Sequence, residues 1–139
     1  MAVSTEGCQA RYISSSFSSG AIAWDPHSPH SCAASCLDSL RLLDTRAMVI
    51  TATVNGAHAG IIRDIDYNPN KPLTFVTAGD DRKVLFWDAR NLKVPIKTLC
   101  GHSHWAWRVK FNPFHDQLLL RLFVLPYFLY FVFCFVLRN

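Results

Sequence analysis

The sequence predicts an all-β chain built from small antiparallel sheets that recur along it. Three observations carry that expectation. Short apolar runs rich in β-branched and aromatic residues alternate with clusters of Gly, Pro, Asn and Asp, the punctuation of strands and tight turns. The turn prolines Pro26, Pro69 and Pro113 stand 43 and 44 residues apart, a spacing expected of a sheet-by-sheet repeat. Residues 57–90 then hold, in order, a His-containing loop, a Gly-Asp-Asp turn and a closing Trp-Asp pair.

The central copy is the clearest. After Ala57 and His58 an alternating run ends in Ile65-Asp66-Tyr67, and a turn built on Asn68, Pro69, Asn70, Lys71 and Pro72 leads to a second apolar run over 73–78. Gly79, Asp80 and Asp81 make a tight turn, and residues 83–88 form a third strand ending in Trp87-Asp88. That order is similar to a WD-repeat blade. The preceding stretch is a degenerate copy: Ala23-Trp24-Asp25-Pro26 matches Asp66 to Pro69, residues 31–35 fall where 74–78 fall, and Leu43 stands where Trp87 stands. Fourth strands are expected over 48–54 and 95–99. A third copy opens at Gly101-His102, with a strand over 107–111, a turn at Asn112-Pro113 and a second strand beginning at 118–120. At Arg121 the pattern stops.

The expected organisation is therefore a Ser-rich flexible leader (1–19), a degenerate WD blade (20–56), a full WD blade (57–100), the start of a third (101–120) and an apolar non-repeat tail (121–139). A WD40 β-propeller usually closes with about seven blades of ~40–45 residues. A chain of 139 residues supplies about two and a half of them, so a propeller fragment is expected. An open set of blades leaves sheet faces uncovered, which predicts poor stability for the chain alone.

Composition narrows the function classes. The net charge of +4 is scattered, with no run of Lys or Arg, so no nucleic-acid groove is indicated. Five Cys residues, an odd number in no framework, read as reduced thiols of a cytosolic protein. No secretory signal is expected at the N-terminus.

Four residues of the central copy, His58, Thr77, Asp81 and Trp87, have the chemistry of a catalytic triad with an aromatic neighbour. The blade reading makes them a structural network instead: the carboxylate accepts from the imidazole, whose other nitrogen meets the Thr hydroxyl, which in turn meets the indole N–H. No exposed nucleophile or oxyanion-stabilising loop accompanies them, so no catalytic site is assigned. Asp81 is preferred to Asp80 as the acceptor. His27, His30, Cys32 and Cys36 form a metal-like cluster, but its spacing is not that of structural zinc, and no metal or cofactor is assigned. His102, His104, Trp105 and Trp107 form a candidate partner patch at a strand entrance, with packing between blades as the competing explanation. Asp64 and Asp66 share one face of the first strand and are expected to face a polar channel or bond to loops. Lys93 and Lys97 flank Pro95 on an outer, edge-type strand, where charge protects against edge pairing.

The tail can be read in two ways. Residues 118–137 are twenty positions with Arg121 as their only charge, the length of a bilayer-spanning helix, though Pro126 interrupts them. The same Phe, Leu, Val, Tyr and Cys are what a uridine-rich message encodes, and Arg121-Leu122 can be spelled with a splice donor. Intron read-through or an alternative transcript at Arg121 is the preferred expectation over a selected anchor.

Beyond a generic WD repeat, the segments AWDPH, RDIDYNPNKP, NLKVPIKTL and GHSHWAWRVKFNPFHDQLLL resemble the WD-repeat family that interacts with the endosome-associated recycling and Golgi-associated retrograde tethering complexes. The resemblance covers about residues 21–120. It implies a seven-bladed propeller and a scaffold rather than an enzyme, with tether subunits as partners and no nucleic acid or small-molecule substrate. It also implies a cytoplasmic location, peripheral to endosomes and the trans-Golgi network, here in a truncated form. The alternatives are a small tail-anchored protein whose membrane contact runs through 118–137, and a substrate receptor in ubiquitin ligation.

Overall fold

In a computed structural model the protein is described over residues 20–100, 106–115, 118–124 and 129–135. Every regular element in these residues is a strand. The first sheet runs β1 (Ile22–Trp24), β2 (Ser31–Cys36), β3 (Ser39–Asp44) and β4 (Val49–Val54); the second runs β5 (Ile62–Tyr67), β6 (Thr74–Gly79), β7 (Val84–Asp88) and β8 (Lys97–Leu99). The third holds β9 (Ala106–Phe111), β10 (Leu118–Val124) and β11 (Leu129–Phe135). All pairings are antiparallel between strands consecutive in the chain, as short turns require.

The sequence repeat reappears as register. Ser31 pairs Asp44 and Cys32 pairs Leu43 in the first sheet; Thr74 pairs Asp88 and Phe75 pairs Trp87 in the second. Leu43 therefore occupies the place of Trp87 in three dimensions as well as in the alignment. The turn from β2 to β3 is a two-residue link between Cys36 and Ser39, with Leu37 at φ 54°. Its longer counterpart carries Arg82 at φ 64°. The turn after the first strand of each sheet is tied by an Asx oxygen: Asp25 Oδ1 accepts from His27 N, Asn68 Oδ1 from Asn70 N and Lys71 N, and Asn112 Oδ1 from Phe114 N and His115 N. This explains why Asp or Asn precedes the proline at each of the three positions.

Sheets bury one another's faces, so the core lies between blades. Ala23, Ala33, Leu40 and Leu42 of the first sheet pack against Ile62, Ile65, Tyr67, Phe75, Leu85 and Trp87 of the second. The opposite face of the second sheet, with Val76, Ala78, Val84 and Phe86, packs against Ala106, Val109, Phe111 and Leu119 of the third. The alternation along β6 and β7 divides the residues between the two cores, as a period of two dictates. Each fully buried Ile, Val, Leu or Phe contributes about 1.5–3 kcal/mol relative to exposure.

One difference from the sequence reading concerns the tail. The backbone continues β10 through Arg121 to Val124 and pairs it with β11, so residues read as lying outside the repeat form strands of the third sheet. β-Branched and aromatic residues favour a strand whatever brought them into the chain. Among the described residues no helix is long and apolar enough to cross a membrane. The leader at 1–19 lies outside the described residues, as do His102, His104 and Trp105 of the candidate patch.

Candidate functional site

The loop after β4, strand β6, the turn after β6 and strand β7 bring His58, Thr77, Asp81 and Trp87 together. Trp87 Nε1–H donates to Thr77 Oγ1 at 2.9 Å, the Thr77 hydroxyl lies 2.7 Å from His58 Nε2, and His58 Nδ1 lies 2.9 Å from Asp81 Oδ1. One arrangement of protons satisfies the whole chain. A carboxylate only accepts, so His58 carries its hydrogen on Nδ1, and its bare Nε2 takes the Thr77 hydroxyl hydrogen. His58, Thr77 and Trp87 are all buried.

Burial holds the His58 pKa below the ordinary imidazole value, against the opposing pull of Asp81. Burial alone would raise the Asp81 pKa. The hydrogen bond and charge of His58, together with the backbone N–H groups of Lys83 at 3.1 Å and Ala59 at 3.2 Å, outweigh it jointly, and the carboxyl ends below its usual range. The hydroxyl that His58 would activate, that of Thr77, is fully buried and itself accepts from the Trp87 indole N–H, so it is not presented to a substrate. What the four residues do is tie the loop to three points of one sheet. Gly79 is required beside them, because a Cβ there would sit 2.7 Å from His58 Nδ1.

Asp80, the neighbour passed over, has a different use. Its carboxylate accepts two bonds from Arg63, Nε at 2.7 Å and Nη2 at 2.6 Å. The Arg63 guanidinium in turn lies 5.5 Å from the centre of the Trp107 ring. Trp107 is thus half-covered by a contact between the second and third sheets. This Asp80–Arg63–Trp107 chain escaped the sequence reading, since nothing in the spacing of Arg63 marks a partner 17 residues on and a third in the next blade.

Asp64 and Asp66 reach neither channel nor loop; they latch onto the third sheet. Asp64 Oδ2 accepts from Val109 N at 3.0 Å, and Asp66 accepts from Phe111 N at 2.8 Å and from Lys110 Nζ at 2.9 Å. Alternate carboxylates on one inner strand thus satisfy alternate edge amides of the next. The signal that could have revealed this was the repeat itself, which sets Val109 and Phe111 one period after Ile65 and Tyr67. Burial raises the Asp64 pKa, opposed by the Val109 amide and the Lys110 charge.

The metal-like cluster is not gathered. His27 Nε2 donates to the Asn68 carbonyl at 3.2 Å, and Cys32 sits on β2 in an apolar cluster with Ala34 and Leu43, where burial pushes its thiol pKa up. Among the described residues no three His, Cys, Asp or Glu side chains are placed to hold a metal.

Stacked antiparallel sheets of matching register, one pinned by a His–Thr–Trp–Asp network, define a protein of the WD-repeat β-propeller class. More particularly, the chain belongs to the EIPR1 beta-propeller family, whose family model matches residues 3–122. It is 48% identical over 107 residues to human EARP and GARP complex-interacting protein 1, covering 75% of this chain and 27% of that protein. It is 32% identical over 81 residues to human diphthine methyltransferase, covering 58% of this chain and 18% of that protein. The chain thus spans about a quarter of the first relative's length and less of the second's. Among solved structures, a chain of the mitotic checkpoint complex matches with a TM-score of 0.62 at 22% identity, covering 72% of this chain and 29% of that one, which shows the fold alone.

Proposed function

We propose that this chain is a non-enzymatic adaptor that presents WD-type sheet faces to the EARP and GARP vesicle-tethering complexes, in endosomal recycling and endosome-to-Golgi retrograde transport. The observation that carries this reading is membership in a family whose human relative bears that interaction in its name. Its place of action is the cytoplasmic side of endosomes and the trans-Golgi network. The non-enzymatic reading is supported by the complete burial of the Thr77 hydroxyl beside His58. The contact includes the strand entrance at His102, His104, Trp105 and Trp107, of which Trp107 is 42% exposed. The test is retention of purified EARP and GARP complexes on the immobilised full chain, compared with an unrelated propeller of the same blade number. Retention that weakens with Trp107→Ala is expected; retention no better than the control overturns the reading.

A further inference from the structure

The seam between two sheets consumes their faces, so what stacking leaves open is the two ends, where the turns lie. Strand pairing and two hydrogen bonds fix which turns share an end. In the second sheet β5 finishes, β6 begins and β7 finishes together, and the first sheet repeats this with β1, β2 and β3. His27 Nε2 of the first sheet donates to the Asn68 carbonyl, and Asn70 Nδ2 donates to the Pro113 carbonyl of the third at 3.0 Å. The turns after β1, β5 and β9, and those after β3 and β7, therefore belong to one end of the stack.

That end presents large apolar side chains to solvent. Phe114, in the turn after β9, is 85% exposed, and Val94 and Ile96, in the link from β7 to β8, are 64% and 60% exposed. The link is held in place: Asn91 N donates to Asp88 O, and Ile96 N to Phe86 O at 2.7 Å. Arg46, Lys71 and Lys93 are exposed on the same end, and no ion pair engages them among the described residues. The carboxylates there are committed to their own turns. Asp25 and Asp44 accept from backbone N–H groups, and Asp88 takes the Arg90 guanidinium at 2.8 Å. The turns of the opposite end instead mix Asp38, Asp80 and Asp81 with Arg82 and Lys83.

We propose that this end docks on an anionic membrane surface, its apolar tips entering the interfacial layer while Arg46, Lys71 and Lys93 lie against the lipid headgroups. Two features favour a bilayer over a protein partner. Side chains this exposed project from the tips of separate turns, and a soft layer that closes around each tip accommodates them without a matching pocket. Among the described residues the exposed charges of this end are all positive, which matches a layer of anionic headgroups, each cation near it contributing about fivefold to partitioning. The proposal is independent of the tethering partners and of the apolar tail at 121–139.

The test is sedimentation of the full chain with phosphatidylcholine vesicles, with and without phosphatidylserine. The chain partitions at least about tenfold more strongly onto the phosphatidylserine vesicles, and added salt weakens the preference. Ile96→Asn with Lys71→Gln and Lys93→Gln removes roughly tenfold or more of that binding. A matched change at the opposite end, Leu37→Asn with Arg82→Gln and Lys83→Gln, leaves it in place, and so does the conservative set Ile96→Leu, Lys71→Arg and Lys93→Arg. Because the tail is common to every variant, its contribution cancels. Absence of a phosphatidylserine preference, equal losses at the two ends, loss in the conservative set, or an Ile96→Asn set that binds as well as wild type overturns the proposal. So does an Ile96→Asn set that keeps its vesicle binding and loses retention of the tethering complexes, which makes this end a protein contact.

Discussion

Replacing Thr77 by Val tests whether the buried network stabilises the blade through its hydrogen bonds or only through its volume. Thr77 is fully buried, and its hydroxyl oxygen lies 2.9 Å from Trp87 Nε1 and 2.7 Å from His58 Nε2. Val keeps the shape and adds apolar surface, so area counting alone predicts a neutral or stabilising change. It also strands two buried polar atoms, each costing about 1–3 kcal/mol, for a loss of about 2–6 kcal/mol in all. Thr77→Ser keeps the hydroxyl and gives up one methyl, about 1 kcal/mol. The expected order of stability in urea unfolding followed by far-UV circular dichroism is therefore wild type, then Ser, then Val, which puts the most apolar side chain last. A Val variant as stable as the Ser variant, or more so, would refute the reasoning and leave the four residues as packing alone.

The remaining predictions follow from the same geometry. Because burial lowers the His58 pKa, the unfolded chain binds the proton more readily; stability is fully present above the ordinary value of about 6.5 and falls as pH drops through it. A melting temperature independent of pH between about 5 and 7 would contradict this. Gly79→Ala forces a Cβ to within 2.7 Å of His58 Nδ1 and should cost more than Gly56→Ala. At Gly56 nothing lies within 4 Å, and the strain is that of φ +62° alone, about 1 kcal/mol. Denaturant titration of the pair gives the order. Asp64→Ala leaves the Val109 amide without its acceptor at the seam, so exchange at Val109 should quicken while exchange within β6 and β7 holds; uniform quickening would mean the seam is no separate device.

Much of this chain could be read without coordinates. Strand identity, the 43-to-44-residue period and the correspondence of Leu43 with Trp87 follow from alternation and turn chemistry, which act between neighbours a few residues apart. The choice of Asp81 over Asp80 also came from local turn direction. What sequence did not supply were relations between sheets, the Asp64 and Asp66 latch and Trp107 lying against Arg63, and, within the third sheet, the joining of β10 to β11. The inter-sheet contacts depend on which faces meet and at what stagger, which the repeat spacing hints at for the latch but does not fix. The residues themselves set each sheet and its two faces, because side chains alternate with a period of two. Only the stacking of one sheet on the next decided which carboxylate finds which amide, since a hydrogen bond requires the two groups to arrive within about 3 Å.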